Sequence, residues 1–316
     1  MGWGVGLMTI TSVPVKPAIG LWPVWRRVAD GHLLPVATVA GLILLLWYAG
    51  AIWLNGPQVR EQLQRAGEPY TTTNFIQATW AMERPVLPAP HQIAREFKKT
   101  VFDIKPTAKR SLVYHAYVTV SASVLGFALG AVLGILLAVG IVHVRTLDRS
   151  LMPWIIASQT IPILAIAPMI IVVLGNIGLT GLIPKSIIST YLCFFPVTIG
   201  MVKGLRSPDP LQLDLMRTYS ATPVQFFWKL RWPASVPFLF ASLKVAIAIS
   251  LVGAIVGELP TGATAGLGAR LLTGSYYGQT VQIWSALLMA ALIGCILVFL
   301  IGLIERLTLR HMGARR

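Results

Sequence analysis

The sequence predicts an all-α membrane protein with six membrane-spanning helices, and two observations carry that prediction. Of the 316 residues, 55% are hydrophobic and only 12% are charged, whereas roughly 25% of the residues in a soluble domain are charged. The apolar residues are gathered into six runs, each long enough to cross a bilayer. Lipid offers no partner to an unpaired backbone group, so each run is expected to be a helix.

The six predicted spans are residues 34–54, 113–142, 151–174, 179–202, 238–258 and 283–307. The first run is longer than the core of a cleaved signal peptide, about 7–15 residues, so it is predicted to be an anchor. It separates an N-terminal segment, residues 1–33, from a polar loop, residues 55–112. The other five spans form a core over residues 113–307, followed by a basic tail at residues 308–316.

Lysine and arginine determine the expected orientation. Six spans place both termini on one side, and a narrow majority of the cations outside the spans then falls on that same side. Cytoplasmic loops are enriched in these residues, so both termini are predicted to be cytoplasmic and the loop of residues 55–112 external. The net charge of +15 is accordingly interpreted as topology and not as nucleic-acid binding.

The external loop contains a basic stretch, residues 93–110, with apolar positions at intervals. Its cations include Arg95, Lys98 and Arg110, and its apolar residues include Ile93 and Phe97. Two interpretations remain open. The stretch is either an amphipathic helix on the membrane surface or a loop helix packed on the bundle.

Polar groups inside the spans are candidates for a solute pathway. Prolines in the third and fourth runs indicate bent helices around a cavity. The candidate pathway residues are Ser158, Gln159, Thr160, Lys244 and Glu258. Uncharged groups line a cavity without trapping a solute, but interhelical contacts remain an alternative for the first three. For Lys244 the alternatives are snorkelling to the surface or an ion pair.

Gly126, Gly130 and Gly134 recur every fourth residue in the second span. Small residues at this spacing let helix backbones approach closely, so this face is predicted to pack tightly against another helix.

The chain lacks the sequence motifs of common enzymes. It has no Walker A, HExxH or GxSxG pattern and no paired carboxylates within a span. Its two cysteines, Cys193 and Cys295, both lie in apolar runs, which gives no metal site. The sequence therefore predicts that this chain is not an enzyme.

The loop between the fourth and fifth spans, residues 203–237, is the most informative segment. Its pattern predicts a helix over residues 214–219, a turn, and a second helix over residues 224–231 that prolines 233 and 237 end. Ser220 or Thr222 is expected to cap the second helix, with Pro223 at its first position. Phe226, Phe227 and Trp228 are exposed aromatics in this prediction, which is typical of a docking surface. An aromatic belt at the membrane interface is the alternative.

This loop resembles that of the permease subunits of binding-protein-dependent ABC importers, whose pattern is E-A-A-x3-G-x9-I-x-L-P. Asp214 occupies the position of the glutamate, Ser220 that of the glycine, and Pro233 that of the proline. Other segments resemble the nitrate/sulfonate/taurine branch of these permeases, in the same order along the chain. They include Leu87-Pro-Ala-Pro, Gln159-Thr-Ile-Pro and Gly266-Leu-Gly268.

The resemblance implies a type I ABC importer permease in a bacterial inner membrane. It also implies a second permease copy, two ATPase subunits that bind ATP and Mg, and a periplasmic or lipid-anchored substrate-binding protein. No cofactor is expected on this chain. The implied solute is a small anion or organic molecule, such as nitrate, a sulfonate, taurine, an aromatic acid or a pyrimidine. The ATPase-coupling residues so implied are Asp214, Arg217, Ser220, Ala221, Thr222, Pro223, Gln225, Phe226, Phe227, Trp228, Lys229, Arg231 and Pro233.

The alternative is a stand-alone channel or secondary transporter driven by an ion gradient. Such a protein needs acidic groups in the membrane for ion coupling, and here acids occur only at the edges of spans, at Glu258 and Glu305. Inverted repeats are not visible in the sequence either.

Overall fold

The computed structural model describes residues 33–67, 71–260 and 263–313. The N-terminal segment up to residue 32 and the last three residues of the basic tail lie outside the described residues. The chain divides into two units, residues 1–50 and 51–316. The helices are α1 Leu33–Ala66, α2 Thr72–Ala81, α3 Pro90–Lys98, α4 Leu112–His143, α5 Arg145–Ser158, α6 Ile163–Asn176, α7 Leu182–Leu205, α8 Pro210–Thr218, α9 Pro223–Phe226, α10 Trp232–Glu258, α11 Leu267–Tyr276 and α12 Thr280–His311. Two π-helical turns, Lys99–Asp103 and Phe227–Arg231, follow α3 and α9.

Five stretches of the described chain are helical, long and apolar enough to cross a membrane. They contain α1, α4, α7, α10 and α12, which correspond to five of the six predicted spans. The predicted third span is a pair of helices instead, α5 and α6, bent by 98°. Pro162 is the N-cap of α6, and proline disfavours helix in the residue before it, which accounts for the break. Counted as one broken span, the pair brings the number to six.

The predicted glycine face of α4 packs directly on α7. A Cβ atom added to Gly126 would lie 2.3 Å from the Cβ of Ser189, and one added to Gly130 would lie 2.6 Å from the Cβ of Cys193. One added to Gly134 would lie 2.8 Å from the carbonyl oxygen of Phe194. The prediction of close packing is confirmed. The two helices approach this closely because glycine has no side chain at the contact.

The same seam includes α10. A Cβ atom on Gly253 would lie 2.9 Å from the Cα of Ser189, so α10 also lies close against α7. Hydrogen bonds from Ser189 Oγ to the carbonyl of Ser250 (3.0 Å) and from Ser250 Oγ to the carbonyl of Ser123 (2.6 Å) cross between these helices. Helices α4, α7 and α10 therefore form the tightly packed centre of the bundle.

The segment after the predicted first span is ordered by Asn55, which is fully buried. Its side-chain nitrogen donates to the carbonyl of Leu87 (2.9 Å), and its side-chain oxygen accepts from the N–H groups of Val86 (2.8 Å) and Leu87 (3.1 Å). One amide side chain thus holds the Leu87-Pro-Ala-Pro element against α1.

The apolar side of α3 faces the protein. Ile93 is buried, and Phe97 and Val101 pack against a cluster that includes Leu112 and Leu267. This packing supports the second of the two interpretations, a loop helix on the bundle.

The cations of the same stretch stay at the surface. Arg95, Lys98 and Arg110 are exposed. Arg270 of α11 interacts electrostatically with Arg110 and with Glu96. Burial lowers the pKa of the Arg270 guanidinium, and the Glu96 carboxylate opposes this shift. This end of the bundle therefore carries an excess of positive charge.

Candidate functional site

The loop that carries the family resemblance forms two short helices joined by a tight turn. Helix α8 begins at Pro210, and the carboxylate of Asp209 accepts the N–H of Leu211 (2.8 Å). An acceptor at the N-cap with proline at the first position is a favoured helix start. The helix therefore begins four residues before the predicted start at residue 214, and it ends at Thr218.

Ser220 occupies the turn in a left-handed conformation, with φ of 49°. Among the described residues it is the one non-glycine residue with a positive φ. A serine thus adopts, at the position of the family glycine, a conformation that favours glycine. This conformation costs a side-chain-bearing residue about 1–2 kcal/mol, which explains the glycine of the family pattern.

Thr222 caps the second helix, as one of the two predicted candidates. Its Oγ1 accepts the N–H of Gln225 (3.4 Å), and the Gln225 side-chain oxygen accepts the N–H of Thr222 (2.9 Å). This reciprocal pair is a capping box, and Pro223 follows at the first helical position as expected.

The second helix does not end at Pro233 or Pro237, contrary to the sequence-based prediction. Residues from Pro223 to Glu258 form one continuous helical stretch. The π-helical turn lies directly before Pro233, and within it the N–H of Trp232 bonds to the carbonyl of Phe227, five residues back. Pro233 then stands in the first turn of α10, directly after the π-helical turn. Helix α10 is therefore continuous with the second helix of the loop.

The aromatic residues of the loop face in two directions. The ring of Phe227 lies 5.3 Å from that of His143 at the end of α4, and it packs against a buried cluster that includes Ile141 and Leu205. Trp228, the next residue, is 57% exposed. Phe227 therefore contacts the bundle, whereas more than half of Trp228 is exposed.

Five exposed apolar side chains, which we call the docking surface, lie on this loop. They are Leu211, Leu215, Tyr219, Val224 and Trp228. The first three recur every fourth residue and so share one face of α8. The sequence prediction included Trp228 but overlooked Leu211, Leu215 and Tyr219, although their regular spacing on a short polar helix was the available signal.

Charged groups flank the docking surface. Asp214 and Arg217 form an exposed ion pair of 2.9 Å, and Lys229 is exposed in the π-helical turn. Of the other predicted coupling residues, Phe226 and Arg231 are half-buried and Ala221 lies in the turn between the helices.

Three of the predicted pathway residues meet at the bend between α5 and α6. Gln159 and Thr160 are exposed there. The hydroxyls of Ser158 and Thr160 donate to the carbonyls of Ile155 (2.7 Å) and Ala157 (2.8 Å), and the Tyr191 hydroxyl donates to the carbonyl of Ser158. The polar groups thus support a broken helix end, and the Gln159 amide remains available at the surface.

Lys244 and Glu258 lie apart from this bend and from each other. Lys244 pairs with Glu305 of α12 at 2.5 Å, which is the ion-pair alternative. Glu258 is fully buried and pairs with Lys185 of α7 at 3.3 Å. Its carboxylate also accepts from Thr119 Oγ1 (2.9 Å) and from the N–H of Gly268 (2.9 Å). Sequence reasoning missed Lys185 as the partner, since 73 residues separate the two positions.

The described residues contain no group of three His, Cys, Asp or Glu side chains placed to hold a metal ion. The arrangement instead combines an exposed docking surface, a broken helix with polar groups, and paired charges inside the helical bundle.

Comparison with known proteins identifies the family. Residues 130–313 match the family described as the inner membrane component of binding-protein-dependent transport systems. The chain belongs to this family. It is an inner-membrane permease subunit of a binding-protein-dependent ABC importer, and the family assignment confirms the resemblance seen in the loop.

Individual relatives agree with the family assignment. A probable ABC transporter permease of Haemophilus influenzae is 29% identical over 73% of this chain and 92% of its own length. The riboflavin transport system permease of Chloroflexus aurantiacus is 32% identical over 71% of this chain and 80% of its own. A putative aliphatic sulfonates transport permease of Bacillus subtilis is 25% identical over 71% of this chain and 78% of its own.

A solved structure of the MetNI methionine ABC transporter, in an inward-facing conformation, has the same fold. It matches with a TM-score of 0.50 and 20% identity, covering 62% of this chain and 94% of that one. The predicted fold class, an all-α type I importer permease, is confirmed.

Proposed function

We propose that this permease couples ATP hydrolysis on two separate ATPase subunits to solute movement between two permease copies. A periplasmic or lipid-anchored binding protein delivers the solute, and ATP and Mg bind to the partner chains. Both termini lie in the cytoplasm, so the docking surface faces the ATPases.

The observation that carries the proposal is the docking surface itself. Leu211, Tyr219 and Val224 are 77%, 77% and 65% exposed. Exposed apolar residues clustered in this way mark protein interaction sites. Aromatic residues with neighbouring arginines are the usual energetic centres of such contacts.

The adjoining residues provide a route from the docking surface into the bundle. Trp228 is exposed and Phe227, beside it, packs on the end of α4. The π-helical turn continues into α10 without a break, so a partner that moves the loop also moves α10. This is a rigid-body transmission of the kind that switches proteins between two states.

The solute in this proposal is a small anion or a small organic molecule. Relatives named for riboflavin and for aliphatic sulfonates support this range. Inside the bundle, Lys185 and Lys244 are each paired with a carboxylate, so neither presents an unpaired charge to a passing solute. Ser158, Gln159 and Thr160 offer neutral polar groups at the helix break, which suits a pathway that must also release its solute.

Co-purification of the ATPase subunits tests the docking surface. The substitution Trp228→Asp places a charge on the docking surface and is expected to reduce ATPase recovery with a tagged permease at least tenfold. Tyr276→Asp is the matched control, because Tyr276 is 72% exposed but lies at the end of α11. Equal ATPase recovery with the two variants would refute the docking role.

A further inference from the structure

The far end of α10 is fastened to α11 by a buried polar cluster, which we call the Glu258 latch. It consists of Glu258 on α10, Lys185 on α7, Thr119 and His115 on α4, and the N-terminal backbone of α11, residues 265–268. Glu258, Thr119 and His115 are 0%, 0% and 5% exposed, and Lys185 is 8% exposed. Charges are rare inside membrane bundles and mark functional positions there.

The latch satisfies the first N–H groups of α11 with side chains from other helices. Gly266 N–H donates to His115 Nδ1 (3.0 Å), Leu267 N–H to Thr119 Oγ1 (2.8 Å) and Gly268 N–H to the Glu258 carboxylate (2.9 Å). The first N–H groups of any helix lack partners within that helix. Here their partners come from α4 and α10, so the position of α11 depends on both.

Lys185 on α7 joins this cluster through two hydrogen bonds. Its ammonium donates to Glu258 Oε1 (3.3 Å) and to the carbonyl of Ala265 (3.0 Å), immediately before α11. One side chain therefore holds both the carboxylate and the backbone that leads into α11. The central helices α4, α7 and α10 all contribute a group.

Two glycines bring α11 close enough for these bonds. A Cβ atom on Gly266 would lie 2.1 Å from the Glu258 carboxyl carbon, and one on Gly268 would lie 2.3 Å from the carbonyl oxygen of Ile255. Gly266 also has a φ of 124°, which favours glycine. The residue types at this junction are thus fixed by the contact with α10.

Helix α10 connects the latch to the docking surface. It has 27 residues, from Trp232 beside the loop to Glu258 in the latch. At 1.5 Å per residue it spans about 40 Å. A movement that begins at the docking surface therefore reaches α11 through the last residue of α10.

We propose that Glu258 is a positioning residue that makes α11 move with α10, so that the far end of the pathway opens and closes with the docking loop. The inference rests on the proposed function, since the loop must receive the movement from an ATPase. Glu258 contacts no solute in this account. It acts by holding α11 in place, and the Lys185 ammonium pairs with its buried carboxylate at 3.3 Å.

The position of α11 is measured by thiol labelling. Ala269 on α11 is 6% exposed, so Ala269→Cys, in a background with Cys193→Ala and Cys295→Ala, reports whether α11 stays packed. We expect a membrane-impermeant maleimide, applied from either side of membrane vesicles, to label this position slowly. Adding Glu258→Gln, which keeps the shape and removes the charge, is expected to raise the labelling rate at least tenfold.

The matched control is the other ion pair of the bundle, Lys244 with Glu305, which does not involve α11. Lys244→Met with Glu305→Gln is expected to leave the labelling rate of Ala269→Cys unchanged. If Glu258→Gln does not insert into the membrane, Thr119→Val removes the bonds to Glu258 and Leu267 without touching a charge, and the same increase is expected. An unchanged labelling rate in an inserted latch variant would overturn the proposal.

A second readout separates positioning from simple stabilisation. In proteoliposomes that contain the complete importer, Glu258→Gln is expected to raise the number of ATP molecules hydrolysed per solute taken up severalfold. Lower protein yield with an unchanged ratio would mean a purely structural role and would contradict the proposal. If the wild-type complex takes up no solute with ATP, the proposed function fails, whereas the labelling result still decides the latch.

Discussion

The contact between α4 and α7 predicts a large effect from a single added methyl group. In the variant Gly126→Ala the new Cβ would lie 2.3 Å from Ser189 Cβ and 2.7 Å from the Ser186 carbonyl oxygen. Carbon atoms pack at about 3.5–4.0 Å, so the helices must separate by about 1 Å or more at this point. Backbone and Cβ atoms cannot rotate aside, and the separation also weakens the bond from Thr190 Oγ1 to the Gly126 carbonyl (3.1 Å).

Overpacking of this kind lowers the free energy of unfolding by about 1–3 kcal/mol. The higher helix propensity of alanine over glycine offsets about 0.5–1 kcal/mol of this loss. Because the clashing atoms are backbone and Cβ atoms, we expect a cost near the top of the overpacking range, a net loss of about 2 kcal/mol in the free energy of unfolding and a Tm lower by about 4–8 °C. The assay is thermal unfolding in detergent, followed by tryptophan fluorescence.

Gly175→Ala is the matched control, because a Cβ atom at Gly175 in α6 meets nothing within 4 Å. Its Tm is expected to equal or exceed that of the wild type. A Gly126→Ala protein that melts at or above the temperature of Gly175→Ala would refute the inference that the glycines are required for helix contact.

Three further substitutions have defined expected outcomes. Ser220→Gly relieves the left-handed serine and is expected to stabilise the protein by about 1 kcal/mol, measured as a rise in Tm, whereas an unchanged or lower Tm would contradict the strain. Asn55→Ala leaves the N–H groups of Val86 and Leu87 without their acceptor and is expected to cost about 1 kcal/mol or more, with faster proteolysis around Leu87. Cleavage at the wild-type rate would argue against this role. Lys244→Met leaves Glu305 without its partner and is expected to lower the Tm, with recovery when Glu305→Leu is added; no recovery would show that the pair is not the cause.

The sequence predicted the parts of the fold that local patterns determine. Apolar runs located the spans, and the Thr222-Pro223 signal located the capped helix, because both depend on neighbouring residues. Helix α8 begins four residues before its predicted start at Asp214. The signal for the true start was Asp209 followed by Pro210, an N-cap residue with proline at the first helical position.

The remaining features depend on contacts between distant segments. Local sequence rules predict that a helix ends near Pro233. In the structure a π-helical turn lies directly before this proline and the helical stretch continues to Glu258. Whether Phe227 points to solvent or to His143 depends on where α4 ends, which the loop sequence does not encode. The same holds for Glu258 and Lys185, whose pairing follows from the packing of α7 on α10.

The central claim is that ATP hydrolysis on partner subunits drives solute through this permease. Its most direct test is solute uptake by proteoliposomes that contain the permease and its ATPases, with the binding protein outside and ATP inside. We expect uptake only when ATP, ATPase subunits and binding protein are all present, and its loss in Trp228→Asp. Uptake by the permease alone, driven by an ion gradient, would contradict the account.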